Sequence, residues 1–205
     1  MLCVVVDPSM RSYYDQRAAE YDDWWLGSGL FAERDRPGWD GEVRDLVGLV
    51  AALPGGRVLD VACGTAFLTR HLGGEVTALD QSPAMVAVAR ERLPDARVVQ
   101  ADAVPLPFPD GTFDLLFTSH FYGHLLPAER AAFLAEARRV ATRIVVADSA
   151  LRPGEPAEDW QERKLNDGSR HRVYKRWFTG EQLSEELGGG EILYAGRWFT
   201  VVASP

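Results

Sequence analysis

Only two cysteines, Cys3 and Cys63, occur among the 205 residues. Two thiols make neither a disulfide framework nor a multi-cysteine zinc site, so the chain reads as a cytoplasmic protein with no metal. Positive charge is scarce as well: 22 Lys and Arg stand against 30 Asp and Glu, a net charge of −8. Nucleic-acid affinity rests on neutralising phosphates, and membrane-surface affinity on basic clusters. Neither partner is expected. Long apolar runs are missing too, since the longest, Leu46 to Leu53, falls well short of a bilayer span. Met1 to Val6 is apolar but lacks a basic flank and is broken at Asp7-Pro8, unlike a secretory leader. Residues 1–9 are expected to be a loose tail. Repeats and low-complexity tracts are absent. What is present suits one core: 46% apolar residues, with nine Phe, six Trp and six Tyr. A single domain over 10–205 is expected, as a monomer or homodimer.

Periodicity divides that domain. From Ser9, an expected N-cap, to Trp25 the residues Tyr14, Ala18, Tyr21 and Trp25 recur at helical spacing. A glycine- and proline-marked loop follows, then a second amphipathic helix ended by Pro54-Gly55-Gly56. Residues 10–54 are thus expected to form a helical cap. From Arg57 strands and helices alternate: strands at Val58–Ala62, Val76–Leu79, Arg97–Gln100, Phe113–Ser119 and Arg143–Ala147, helices at Thr65–Leu72, Pro83–Leu93 and Pro127–Val140. Such alternation implies a doubly wound α/β core over 55–150 with a mostly parallel, twisted sheet. Residues 151–178 are polar and charge-rich and are expected to be a substrate-side insertion. Residues 179–205 complete the chain as a helix capped by Thr179 and an antiparallel hairpin.

Chemistry concentrates at the strand ends, where open parallel sheets bind ligands. The first strand-to-helix turn reads Asp60-Val61-Ala62-Cys63-Gly64-Thr65-Ala66, small enough for a ligand to approach the backbone. Twenty residues on, Asp80 closes the second strand, where a carboxylate accepts from both hydroxyls of a ribose. Asp102, followed by Ala103, closes the third, suited to an exocyclic amine and a ring nitrogen of adenine. A dinucleotide fingerprint is missing, because Gly64-Thr65-Ala66-Phe67-Leu68-Thr69 lacks its third glycine. So is a phosphate-binding lysine. Acidic strand ends without a phosphate clamp suit a nucleoside bearing positive charge, which describes S-adenosylmethionine.

The ordered set of segments resembles the class I S-adenosylmethionine-dependent methyltransferases, in particular their ubiquinone/menaquinone-biosynthesis branch. Val58 to Thr69 resembles their first motif and Leu79 to Met85 their second. Gln100 to Ala103, with Leu106 to Asp114, resembles the third and the approach to the fourth, and Tyr13-Tyr14-Asp15 with Glu20-Tyr21-Asp22 the N-terminal segment that covers the cofactor. The resemblance implies a Rossmann-like fold and methyl transfer to an O, N or C nucleophile of a small molecule. It implies that Gly64, Ala62 and Thr65 border the methionine part, with Asp60 near its amino group. Asp80 would take the ribose, Gln81 and Met85 the adenine, and Asp102 and Ala103 its amino and ring nitrogens. Tyr21 would reach the methionine carboxylate beside Tyr14, and Ser119 and His120 would border the methyl group. The chain departs from the family pattern at Ala62 and Ala66, which replace glycines. At Ala66 the extra methyl crowds the methionine chain or requires a helical φ.

His120 and His124 follow the fourth strand and are the candidate proton acceptors for a hydroxyl or amine. The charge balance inverts between Arg163 and Arg176, which reads either as a solvated hairpin face or as an insertion attracting an anionic acceptor through Arg170 and Arg172. An apolar or aromatic acceptor body is expected from the aromatic cap. Two other readings stay open, a non-catalytic S-adenosylmethionine-binding module and an NAD(P)-dependent oxidoreductase.

Overall fold

The computed structural model describes residues 8–205, and side chains from Met10 onward. Most of the expected tail, residues 1–7, lies outside the described residues. Nine strands form two sheets. In the larger, β1 (Arg57–Val61), β2 (Glu75–Asp80), β3 (Arg97–Gln100), β4 (Phe113–Ser119) and β5 (Ala141–Ser149) run parallel, and β8 (Glu191–Ala195) and β9 (Phe199–Ala203) extend it as a hairpin. The order is β3-β2-β1-β4-β5-β9-β8, with β9 antiparallel to both neighbours. This is the mostly parallel sheet with an antiparallel C-terminal hairpin that the alternation implied. Strand order reverses between β1 and β4, so their carboxyl ends open a crevice there.

Alternate residues of the strands face opposite layers. Val58, Leu115, Phe117, Val145 and Val201 pack with Leu46 and Val50 of α3 (Trp39–Ala51). Their neighbours Leu59, Leu116, Ile144, Val146 and Val202 meet α5 (Pro127–Val140) and α6 (Gly180–Leu187) through Phe133, Ala137, Leu183 and Leu187. Burial on both faces explains why these strands read as continuous apolar runs. Helix α4 (Pro83–Arg92) starts at Ser82, whose hydroxyl caps the amide of Met85 at 3.1 Å.

Two segments close the space beyond the carboxyl ends. One is the N-terminal segment. The expected continuous helix is instead α1 (Pro8–Arg17), a 3-10 turn at Ala18–Glu20, and α2 (Asp23–Leu26), and Ser9 sits inside α1 rather than at its cap. The break occurs where Asp22 turns to bond Thr65 Oγ1 and Arg92. The other is a separate hairpin of β6 (Glu158–Lys164) and β7 (Arg170–Arg176). Met10 and Tyr13 of α1 pack on Leu165 and Val173 of this hairpin, forming one roof. Helix α3 covers a sheet face and joins the roof only through its first residue, Trp39.

The helix expected over Thr65–Leu72 does not form, and only a 3-10 turn at Thr69–His71 stands there. Ala66 adopts φ +62°, not the helical value expected of it, and Gly64 and Ala62 adopt +55° and +60°. Three left-handed residues at alternate positions cannot propagate a right-handed helix. At an L-residue that conformation costs about 1–2 kcal/mol, while glycine costs about 0.4–1 kcal/mol through the freer unfolded chain. Ala62 is only half-buried, so losing its methyl leaves no closed void. Ala62→Gly is therefore expected to raise stability by about 0.5–1 kcal/mol and Ala62→Val to lower it by more than about 1 kcal/mol, read from urea unfolding midpoints.

Candidate functional site

Two adjoining spaces occupy the crevice. The inner cleft is walled by Ala62 and Gly64 after β1, Leu79, Asp80 and Gln81 at the end of β2, and Ala101 and Ala103 after β3. Ser119, His120 and Phe121 close it from β4, and Tyr14 and Tyr21 from above. The outer chamber measures about 920 Å3 and lies between the N-terminal segment and the β6–β7 hairpin. Tyr14, Tyr21 and His120 border both spaces.

Asp80 organises the cleft. Its Oδ2 accepts from the Gly64 amide at 2.8 Å and its Oδ1 from the Ser82 amide at 2.9 Å. Each carboxylate oxygen keeps a second lone pair for a ligand hydroxyl. Burial pushes its carboxyl up to about 6, against the opposing backbone hydrogen bonds, so the ionised form prevails at neutral pH. Asp60 is different. It is 2% exposed, its Oδ2 accepts from Thr69 Oγ1 at 2.6 Å, and its Oδ1 is buried without a partner. Burial raises its carboxyl to about 8. It lies behind the loop and does not border the cleft.

The paired Tyr-Asp segments of the N-terminus divide the work. Tyr14 and Tyr21 overhang the cleft, and a Cβ built on Gly64 would stand 3.5 Å from the Tyr21 ring. Their neighbours anchor them. Asp15 accepts from Ser82 Oγ at 2.5 Å at the start of α4, and Asp22 pairs with Arg92 at 2.6 Å. Burial drives the Tyr21 phenol up to about 12 and the Tyr14 phenol higher, so both stay neutral hydrogen-bond donors.

His120 stands at the neck between the spaces, in a left-handed conformation (φ +53°) and 8% exposed. Its ring lies 4.7 Å from Trp24 and 5.1 Å from Trp25. Nδ1 is 3.4 Å from Ser149 Oγ and 3.9 Å from the Asp148 carboxylate, an environment favouring the Nδ1–H tautomer. Nε2 is buried without a partner. Burial pushes this imidazole down to about 3, so it is a neutral acceptor at working pH. His124 borders only the outer chamber. Its Nδ1 lies 2.7 Å from the Tyr174 carbonyl, an acceptor, so Nδ1 carries the proton and Nε2 the lone pair. Burial holds it well below the usual histidine value.

Of the residues singled out in the sequence, Tyr14, Tyr21, Ala62, Gly64, Asp80, Gln81, Ala103, Ser119 and His120 meet in the inner cleft. Asp60, Thr65, Met85 and Asp102 do not border it. Thr65 and Met85 are buried behind it, the Thr65 hydroxyl bonded to Asp22, whereas Asp102 is exposed two residues past the end of β3. The sequence reading missed the apolar walls Leu79, Ala101 and Phe121. It also missed a buried ion pair between Asp148 and Lys175, which Gly123 accommodates because any Cβ there would meet the Arg176 carbonyl at 2.5 Å. Arg170 and Arg172, expected to face an acceptor, engage Glu162 and Trp160 and do not themselves line the chamber. Arg163 and Lys175 face inward.

The sheet order β3-β2-β1-β4-β5-β9-β8 with β9 antiparallel, and a strand-end carboxylate beside a glycine turn at the β1/β4 reversal, are those of the class I S-adenosylmethionine-dependent methyltransferase fold. Comparison with known proteins agrees. Residues 59–143 match the model of a methyltransferase domain. The chain is 40% identical over 115 residues to the demethylmenaquinone methyltransferase of Beutenbergia cavernae, covering 53% of this chain and 47% of that one. It is 36% identical over 134 residues to the malonyl-[acyl-carrier protein] O-methyltransferase of Serratia marcescens, covering 62% and 50%. The chain spans about half the length of these curated relatives. Among solved structures it superposes on DhpI in complex with SAM and HEP with a TM-score of 0.75 at 26% identity, over 96% of both chains. The chemistry of the inner cleft suits a nucleoside such as that of S-adenosylmethionine: Asp80 has acceptors free for a ribose, the walls beside it are apolar, and Gly64 leaves the loop bare. Among the described residues no helix is long and apolar enough to cross a membrane.

Hydroxyl donors need the ionised carboxylate, so protonating Asp80 opposes binding. Affinity for S-adenosylhomocysteine is expected to be flat above about pH 7 and to fall roughly tenfold per unit below about pH 6. Asp80→Asn is expected to bind more weakly at pH 8 and to lose this acid limb, as read by calorimetry at each pH.

Proposed function

We propose that this protein transfers the methyl group of S-adenosylmethionine to an O, N or C nucleophile of a small molecule seated in the outer chamber. The observation that carries the reading is the neck. A cleft suited to a nucleoside shares Tyr14, Tyr21 and His120 as a common wall with a second chamber of about 920 Å3, within the size range of small-molecule sites. Trp24, Trp39, Trp160 and Trp198 line that chamber, which favours an acceptor with an apolar or aromatic body. The relatives' names, which speak of a demethylmenaquinone and a malonyl group, support a methyl acceptor of this general kind. The scarcity of cysteine supports a cytoplasmic enzyme, and the net charge of −8 one that does not act on nucleic acid.

The cofactor supplies a methyl group already activated on a sulfonium. The residues of the chain contribute position and dryness. Asp80 holds the ribose hydroxyls, while Ala101, Ala103 and Phe121 wall the base. Tyr14 and Tyr21, pinned through Asp15 and Asp22, keep water from the cleft. Alignment and water exclusion lower the barrier of such a transfer without a strong base. His120 offers its unpaired Nε2 as a neutral hydrogen-bond acceptor that orients a hydroxyl or amine nucleophile. His124, facing the chamber with Nε2 bare, is the second acceptor.

Calorimetry with S-adenosylmethionine, S-adenosylhomocysteine and NAD tests the reading, alongside product formation from a panel of hydroxylated and amino aromatic acids and esters. The sulfur ligands are expected to bind and NAD to fail, with Asp80→Ala weakening binding about 100-fold, the loss of two charge-assisted hydrogen bonds. His120→Ala is expected to lower kcat about tenfold, the loss of one orienting hydrogen bond. Tight NAD binding overturns the reading in favour of an oxidoreductase. Cofactor binding without turnover across the panel reduces the protein to a non-catalytic binding module.

A further inference from the structure

We infer that the outer chamber holds a phosphate-type dianion on its acceptor, gripped by Arg17, Arg34 and Arg163; this rests on the acceptor reading above and names its substrate class. The chamber wall carries more cations than carboxylates in a protein whose net charge is −8. Some of that charge is already matched. Lys175 pairs with Asp148, and Arg152 with Glu155. Among the wall carboxylates, Glu162 is taken by Arg170 and Glu20 accepts from the amide of Asn166 at 2.8 Å.

Arg17, Arg34, Arg36, Arg163 and Lys164 are left over on the wall, beside the carboxylates Asp35 and Asp159. Arg36 is engaged by the Trp24 carbonyl and the Trp39 ring, which leaves Arg17, Arg34 and Arg163 as the guanidiniums available to a ligand. None has a carboxylate within ion-pair reach among the described residues. Arg17 is the telling case because it is only 5% exposed. Its guanidinium stands 4.8 Å from the centre of the Tyr21 ring and 5.6 Å from that of Tyr13. A buried cation without a counter-charge is unfavourable, and this one borders a chamber rather than a packed core. Arg34 reaches the same place from the loop before α3. Burial, then the charges of Arg163 and Arg17, hold it below the ordinary arginine range, so the three guanidiniums sense one another. Arg163 enters from β6, steadied by Gln161 at 3.2 Å.

Guanidinium forks match the oxygens of phosphate in pairs. Three of them converging exceed what one carboxylate neutralises and suit a double negative charge. The site has parts from three separate segments, α1, the loop before α3 and the β6–β7 hairpin. Trp24 and Trp39 stand beside it to take the rest of the acceptor.

Tryptophan fluorescence of the full chain, reporting on Trp24 and Trp39, tests this by titration with phenyl phosphate, benzoate and phenol. Phenyl phosphate is expected to bind at least about tenfold more tightly than benzoate, and phenol not to saturate over the same range. Arg34→Gln and Arg163→Gln are each expected to weaken phenyl phosphate about tenfold while leaving far-ultraviolet circular dichroism unchanged. These two partly exposed positions carry the test, because Arg17→Gln alters a buried residue. Equal binding of benzoate and phenyl phosphate, or undiminished binding in both variants, overturns the inference. Calorimetry with S-adenosylhomocysteine on the same sample separates the two readings. If it binds and phenyl phosphate does not, the dianion site falls and methyl transfer stands. If phenyl phosphate binds and S-adenosylhomocysteine does not, the dianion site stands and the methyl-transfer reading falls.

Discussion

The Asp80 carboxylate ties together parts of the chain that nothing else joins. It ends β2, takes the Gly64 amide from the loop after β1, and takes the Ser82 amide at the start of α4. Ser82 in turn donates to Asp15 on α1. One buried acid thus links the sheet, the glycine turn, a helix start and the roof. A buried carboxylate tends to neutralise itself unless hydrogen bonds favour its charged form. The backbone amides of Ser82, Gly64 and, least, Gln81 oppose the cost of burial here, leaving the group at about 6 and ionised at neutral pH. Asp60 lies one strand away with a single hydroxyl partner, and its carboxyl rises to about 8. The contrast shows how few hydrogen bonds decide which acid stays charged.

Backbone strain gathers around the same point. Ala62, Ala66 and His120 are the non-glycine residues with positive φ among those described, and all lie at the carboxyl ends of β1 and β4. Such conformations persist where the surroundings over-determine them. Here the parallel ladder between β1 and β4 fixes the direction of both strands, Val58 against Leu115 through Asp60 against Phe117. The chain must then turn at once to leave the crevice open. The strain at Ala62 bares the loop, and that at His120 sets its ring across the neck.

Much of this was legible in the sequence because the signals were local. Strands buried on both faces read as apolar runs, Pro83 and Pro127 marked helix starts, and Asp60 and Asp80 marked strand ends. The missing helix after β1 was not legible, since alanine is an excellent helix former and only tertiary contacts hold Ala66 left-handed. Asp102 was misplaced for a related reason: β3 stops at Gln100, and a turn carries the acid out to solvent. The roof needed long-range pairing that one sequence does not display. Its facing was nevertheless encoded. Strand period two puts Arg170, Arg172 and Arg176 on one face of β7 and Val173 and Lys175 on the other, and Val173 packs under Tyr13. Counting charges along the segment concealed what alternation would have separated.

The two spaces differ in electrostatic sign, and His120 lies on the boundary. On the inner side stands the ionised Asp80, on the outer side Arg17, Arg34 and Arg163. A sulfonium favours the first environment and an oxyanion the second, so each partner is drawn to its own chamber. Putting a permanent charge at the neck would favour one partner over the other. The imidazole avoids this because burial disfavours its cation, and the nearby Asp148 carboxylate, which would promote protonation, is already matched by Lys175. Gly123 permits that match by leaving space where a Cβ would press on Lys175 Nζ at 2.9 Å. Neutrality at the neck therefore depends on an ion pair assembled from β5 and β7, and the hairpin that roofs the chamber also sets the charge state of the residue at its mouth.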